Sequence, residues 1–223
     1  MQAFATDEPD VNSNKAPTCI LLDKDKECIA FGKTARAQIL QADLAVERLY
    51  YFAGFKMELQ RYRSGDEPSV GATIGPEGDP LRVPVRLLLQ KTFERCKQQA
   101  LAKATSCSRE PVAEVTWVIT VPADWSDRAS DLVHKAAVDA GLQEKQPLMK
   151  ILMLAEPEAA CQQATINDPV SIWEVVMVVD CGGGTIDITV HEIGERHQPF
   201  SWIELISRIH ISVWAESGQH FPV

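Results

Sequence analysis

A chain of 223 residues, 45% of them hydrophobic, has enough apolar material for a real core in one large domain or two small ones. Its formal charge of −9 opposes nonspecific binding to nucleic acid or to an anionic membrane, because a phosphate backbone rewards clustered Lys and Arg. No run approaches the length of a membrane span, and the start MQAFATDEPDVNSNK lacks the plan of a signal peptide. The 6 cysteines form no C-x-x-C pair, so the chain reads as cytosolic with free thiols.

Residues 1–16 are polar and predict a disordered lead. The stretch TCILLDKDKECIAFG predicts a hairpin, with strands at Thr18–Leu22 and Cys28–Phe31 around a charged turn at Asp23–Lys26. Gly32 ends the second strand, and a helical pattern begins at Lys33. Between Ala42 and Gln60 the apolar residues Leu44, Leu49, Tyr50, Phe52 and Phe55 fall near helical spacing, although Gly54 weakens that reading. Residues 63–80 carry four glycines and three prolines, which predicts a long mobile loop without a regular element. A helix is expected from Val83 to Ala104, with Pro84 in its first turn, where no backbone donor is missed.

Val112–Val121 reads as a strand buried on both faces, and Pro122 marks where the chain leaves the sheet. Ser126 is placed to cap the next helix and Asp127 to favour its positive end. Leu132, Val133, Ala136, Ala137 and Ala140 form the helix's apolar stripe, and Gly141 stops it. Lys150–Leu154 reads as a further buried strand, and Glu156-Pro157 opens another helix. The last clear segment is VVMVVDCGGGTIDITVHE, Val175–Glu192. It reads as a valine-rich strand ending on Asp180, three glycines (Gly182, Gly183 and Gly184), and a second strand starting at Thr185.

Glycines let backbone N–H groups approach an anion without a Cβ in the way. Asp180 and Asp187 would repel phosphate unless a divalent cation sat between them, and Mg²⁺ keeps several waters while touching one or two carboxylates. The segment therefore suits a metal-dependent nucleotide phosphate site; an ordinary hairpin with glycines for its turn is the plain alternative. Neither G-x-x-x-x-G-K-[ST] nor G-x-G-x-x-G is present, so P-loop and dinucleotide folds are disfavoured. The five histidines lack zinc-site spacing, and no G-x-S-x-G occurs.

DCGGGTIDIT resembles the second phosphate-binding segment of the actin-like ATPases, specifically of the heat-shock protein 70 chaperone family. WVITVPADWSDRASDLVHKAAVDAGL at 117–142 and ILMLAEPEAACQQA at 151–164 are similar to segments of that family in the same order. The cysteine after Asp180, the tryptophan of PADW and YYFAGFKMEL at 51–60 resemble its divergent member-12 branch most. The likeness covers roughly Cys28–Glu192. It implies an α/β fold, the actin-like ATPase (ribonuclease H-like) nucleotide-binding domain, here incomplete at both ends.

On this resemblance, 17–194 is a partial nucleotide-binding domain and 195–223 a divergent tail whose isoleucines have no evident partner. It implies ATP or ADP with Mg²⁺ as ligands, Gly182, Gly183, Gly184 and Thr185 on the phosphates, and Asp180 and Asp187 on the metal. Asp180, Glu156 and Lys56 are the implied catalytic set. Lys56 lies in an F-x-x-K-like segment with one residue too many, and a solvated lysine on a helix face is its plain reading. Glu156 is equally satisfied as a carboxylate at a helix N-terminus. The family's switch arginine falls where this chain has Ser130, and its first phosphate loop, an aspartate-glycine-threonine turn, has no counterpart in Met1–Cys19.

The expectation is a fragment or truncated product that binds nucleotide and hydrolyses it weakly or not at all. Client or co-chaperone proteins are its implied partners, with neither nucleic acid nor membrane among them. A nonenzymatic interaction module on the same fold, or a sugar or metabolite kinase of the actin-like superfamily, are the alternatives.

Overall fold

The structure, a computed structural model, describes residues 16–42, 47–107, 114–144, 148–167, 175–181, 185–197 and 202–214. The expected disordered lead lies outside these residues except for Ala16. The chain divides into two compact units, one made of Met1–Trp117 with Trp125–Leu152 and the other of Val118–Asp124 with Met153–Val223.

The first unit starts with the expected hairpin, β1 (Cys19–Leu22) and β2 (Cys28–Phe31), antiparallel and joined by the charged turn. Asp23 fixes that turn by accepting the backbone N–H groups of Asp25 and Glu27 at 2.8 and 2.9 Å. Helix α1 (Gly32–Ile39) follows at once, and Gly32 makes the corner at φ +63°, a conformation that suits a residue without a Cβ. The stretch expected to be helical between Ala42 and Gln60 instead holds a strand, β3 (Tyr50–Ala53), antiparallel to β1, and a six-residue helix, α2 (Lys56–Arg61). Tyr50, Tyr51 and Phe52 favour a pleated strand, and pairing with β1 makes β1 the central strand of three. All four β1 residues are buried as a result. Cys19 and Leu21 pack with Ala35 and Ile39 of α1 and with Tyr51 of β3.

The glycine- and proline-rich stretch 63–80 is not free of regular structure. β4 (Ser69–Gly71) pairs with β5 (Arg82–Pro84), which places Val83 and Pro84 in a strand rather than in the following helix. Backbone bonds join Thr73 and Ile74 to Tyr51, and the Tyr50 hydroxyl donates to Asp79 at 2.6 Å, so the stretch is sewn onto β3. Helix α3 (Val85–Cys107) follows, with Val85 and Leu88 fully buried.

Helix α4 (Asp127–Asp139) forms as expected. The Ser126 hydroxyl accepts the Ala129 N–H at 3.2 Å, and Leu132, Val133, Ala136 and Ala137 are buried along one face. α4 packs on α3, and Lys97 of α3 ties in its end by ion-pairing with Glu144 and donating to the Gly141 carbonyl.

β6 (Glu114–Val121) and β7 (Leu148–Ala155) form a two-stranded sheet, and the division between the units falls within both strands. Neither is buried on both faces as expected, since burial alternates along β6 and Val118, Leu148 and Leu152 are exposed. Runs of β-branched residues suit a strand covered on both sides, but among the described residues each of these strands has a single neighbour.

In the second unit, helix α5 (Glu156–Asn167) starts at Glu156-Pro157 as expected. β8 (Val175–Cys181), β9 (Thr185–His197) and β10 (Trp202–Trp214) make an antiparallel meander in the order β10-β9-β8. The apolar tail is thus not without a partner, because β10 pairs along β9 from Trp202 to Trp214.

Candidate functional site

The β8–β9 hairpin carries the expected strand, glycine turn and strand. Seven consecutive pairs run without a slip from Val175↔Glu192 to Cys181↔Ile186, and this register puts Asp180 directly opposite Asp187. Gly182, Gly183 and Gly184 join the two strands but lie outside the described residues, as do the side chains of Thr185 and Asp187. Two acidic residues at opposed positions weaken a hairpin by like-charge repulsion, at a cost of about 0.2–1 kcal/mol. A hard divalent cation taking oxygen ligands would remove that cost, so the donor set fits the expected ion.

The two-residue period of a strand places Asp180 on the same face of β8 as Val176 and Val178, whose partners on β9 are His191 and Thr189. Helix α5 packs against β8, with Pro157 and Cys161 buried and Glu156 and Glu158 in its first turn, where the helix dipole favours a negative charge. Thr189 and His191 are buried, and the Thr189 hydroxyl lies 2.8 Å from His191 Nε2. Among the described residues, His191 Nδ1 is buried without a hydrogen-bond partner. Burial holds the His191 imidazole below its ordinary pKa, while Glu158 pulls the other way, so the ring is neutral at physiological pH.

Glu156, Asp180 and Asp187 therefore belong to one unit, two of them at facing positions and the third opening the helix that packs on their strand. Lys56 stands in the other unit, at the first residue of α2, with its ammonium 5.6 Å from the centre of the Trp125 ring. It is not a lysine extended into solvent, since the indole face attracts the cation. The N-terminal end of α4 is anchored to the residues after α2 by two further bonds. Ser126 donates to the Tyr62 carbonyl at 2.5 Å, and Arg128 donates to the Gly65 carbonyl at 3.1 Å.

The spacing of the histidines disfavours a zinc site, says nothing of burial, and so does not single out His191. The signal that finds it is parity: Asp187, Thr189 and His191 alternate down one face of a strand. Cys19, Cys28, Cys96 and Cys161 are free, and burial raises all four thiols, which keeps them protonated and unreactive. A cleft of about 530 Å³ in the first unit is lined by Asp23 and Glu47 among others, and its acidic rim is unsuited to a bare phosphate. Among the described residues no helix is long and apolar enough to cross a membrane.

No protein-family model matches the chain. Curated relatives do. Mouse heat shock 70 kDa protein 12A is 25% identical over 252 residues, a match covering 86% of this chain and 36% of that protein. Human heat shock 70 kDa protein 12B is 24% identical over 88% of this chain and 36% of its own length. The chaperone protein DnaK of Picrophilus torridus is 28% identical over 180 residues, covering 80% of this chain and 24% of that protein. These matches and the mixed α/β order define a heat-shock protein 70-like chain, whose relatives imply an actin-like ATPase fold. Of these relatives, the 12A and 12B proteins match over the larger share of this chain, 86% and 88%. The chain spans about a third of the length of these two relatives.

Proposed function

We propose that the chain is a nucleotide-binding domain of a heat-shock protein 70-like protein, taking Mg·ATP or Mg·ADP at the β8–β9 turn. In this reading Gly182, Gly183, Gly184 and Thr185 hold the phosphates and Asp180 and Asp187 hold Mg²⁺ through its waters. Glu156 supports the metal's water shell. The observation that carries the reading is the unslipped register that sets Asp180 opposite Asp187 at the end of a hairpin closed by three glycines. Bound Mg²⁺ would supply charge neutralisation of the phosphates, while the chain's own residues orient the anion and the ion's water shell.

Binding with weak or no hydrolysis is the form of activity proposed. In-line phosphoryl transfer depends on positioned groups on both sides of the phosphate, and the groups proposed here on the phosphates all come from one hairpin. The interaction of Lys56 with Trp125 also supports a nonenzymatic reading, in which the fold is retained for client or co-chaperone proteins. Isothermal titration with Mg·ATP and Mg·ADP, repeated in EDTA, separates the two. Saturable, metal-dependent binding supports the nucleotide reading, whereas absence of binding to a cooperatively melting chain supports the interaction module.

A further inference from the structure

Ser64 lies in the irregular stretch between α2, which ends at Arg61, and β4, which starts at Ser69. One arginine, Arg63, stands directly before the serine, and Arg61 stands three residues before it. No other arginine of the 223-residue chain has a serine or threonine three positions after it. Arg61, Arg63 and Ser64 are all exposed, so the pattern is open to another protein. Protein kinases choose their serines by such charge patterns, because carboxylates in the kinase groove pair a planar guanidinium at a fixed distance from the reacting hydroxyl.

The surroundings of Ser64 also suit the product of that reaction. Ser64 lies between the two carbonyls that the start of α4 holds, with Ser126 donating to Tyr62 and Arg128 donating to Gly65 at 3.1 Å. The Arg128 guanidinium is thus bound to the residue next to Ser64, and consecutive Cα atoms are about 3.8 Å apart, so a phosphate on Ser64 comes within its reach. A phosphoserine carries about −1.5 to −2 charge at neutral pH, and a guanidinium pairs with it through two parallel bonds where a carbonyl takes one. Asp66, Glu67 and Asp127 oppose that charge, and all three are exposed to solvent, which screens them. Arg61, Arg63 and Arg128 match them in number, and Arg128 is the one already fixed beside the serine.

We propose that Ser64 is a phosphorylation site for an arginine-directed serine kinase, and that its phosphate, paired with Arg128, clasps residues 62–65 to the start of α4. The γ-phosphoryl group of ATP passes to Ser64 Oγ: the bond from the γ-phosphorus to the bridging oxygen breaks and the Oγ–P bond forms. ADP leaves, and the hydroxyl proton goes to the catalytic carboxylate of the kinase. The test incubates the full chain with Mg·ATP and the catalytic subunit of cAMP-dependent protein kinase, and maps the product by mass spectrometry. Label at Ser64 is expected, at a rate lowered at least tenfold in Arg61→Ala and little changed in Glu67→Ala. The clasp is read by following the ³¹P resonance of the labelled chain across the second phosphate pKa, ordinarily about 6. That pKa is expected to lie lower in the parent than in Arg128→Gln, because the guanidinium favours the dianion. The substituted positions are exposed, which keeps the variants folded. Absence of label at Ser64, or labelling that survives Arg61→Ala and falls with Glu67→Ala, overturns the site. Equal phosphate titrations of the parent and Arg128→Gln overturn the clasp.

Discussion

Thr189 Oγ1 and His191 Nε2 lie 2.8 Å apart on the buried face of β9, and among the described residues the second ring nitrogen of His191 has no hydrogen-bond partner. A neutral imidazole tolerates this, but a protonated one would bury an N–H and a charge whose desolvation Glu158 only partly offsets. Burial lowers the folded-state pKa below 6.5, the ordinary value. Above pH 6.5 both folded and unfolded chains keep His191 neutral, and the group contributes nothing to the pH dependence. Below 6.5 the unfolded chain takes up a proton that the folded chain refuses, so stability falls until the pH reaches the folded pKa. His191→Gln keeps a polar atom for Thr189 and removes the titration. Thermal melts on either side of pH 6.5 are expected to show a smaller acid-induced drop for His191→Gln than for the parent, and an equal drop would show that this ring does not report on folding.

The facing carboxylates predict opposite effects on fold and ligand. Asp180→Asn relieves the repulsion with Asp187, so without metal the variant should melt at the parent's temperature or slightly above it, by about 0.2–1 kcal/mol. Its affinity for Mg·ATP should fall at least tenfold, or about 1.4 kcal/mol, while the EDTA titrations of the two proteins coincide. Titration calorimetry beside a melt reads both, and undiminished Mg·ATP binding by the variant would remove Asp180 from the site.

Ser126 performs two tasks with one hydroxyl, accepting the Ala129 N–H and donating to the Tyr62 carbonyl. Ser126→Ala is expected to lose about 1–2 kcal/mol, the cost of a missing cap together with an unpaired carbonyl. Ser126→Asp restores the cap but has no proton to donate to Tyr62, so denaturant titration should place it between the parent and Ser126→Ala. Equal loss in both variants would mean that the bond to Tyr62 dominates.

How far such features can be read from the chain depends on how local they are. The Asp23 turn, the Ser126 cap and the β8–glycine–β9 hairpin rest on residues within a few positions of each other, and turn chemistry or capping rules expose them. β3 was hidden because Leu49, Phe52 and Phe55 fall three apart, which imitates a helix. What decides for a strand is pairing with β1, some thirty residues away in the chain. The stretch 63–80 looked unstructured for a related reason: its anchors, Asp79 on Tyr50 and Ile74 on Tyr51, are side-chain and backbone contacts over more than twenty residues. In β8, composition foretold the strand but not its coverage, since valines suit a face that is covered and say nothing of what covers it. Parity alone marks His191 as inward-facing, and only the packing of α5 and the sheet makes it buried.

Gly141 combines a backbone demand with a crowded site. It ends α4 at φ +74°, and its carbonyl accepts from Lys97, which is ion-paired with Glu144. A Cβ at this position would lie 2.7 Å from Glu144 Oε1 and 3.0 Å from Lys97 Nζ, so alanine meets both a left-handed backbone and the ion pair. Gly141→Ala is expected to cost about 2 kcal/mol or more, from about 1–2 kcal/mol of left-handed strain and the displaced pair. The two contributions separate in a double variant: Glu144→Ala made in the Gly141→Ala background removes the nearest atom, and should cost less there than in the parent. Chemical denaturation of the four proteins gives the coupling directly. Strictly additive losses would show that the ion pair moves aside freely and that the backbone angle alone makes Gly141 necessary.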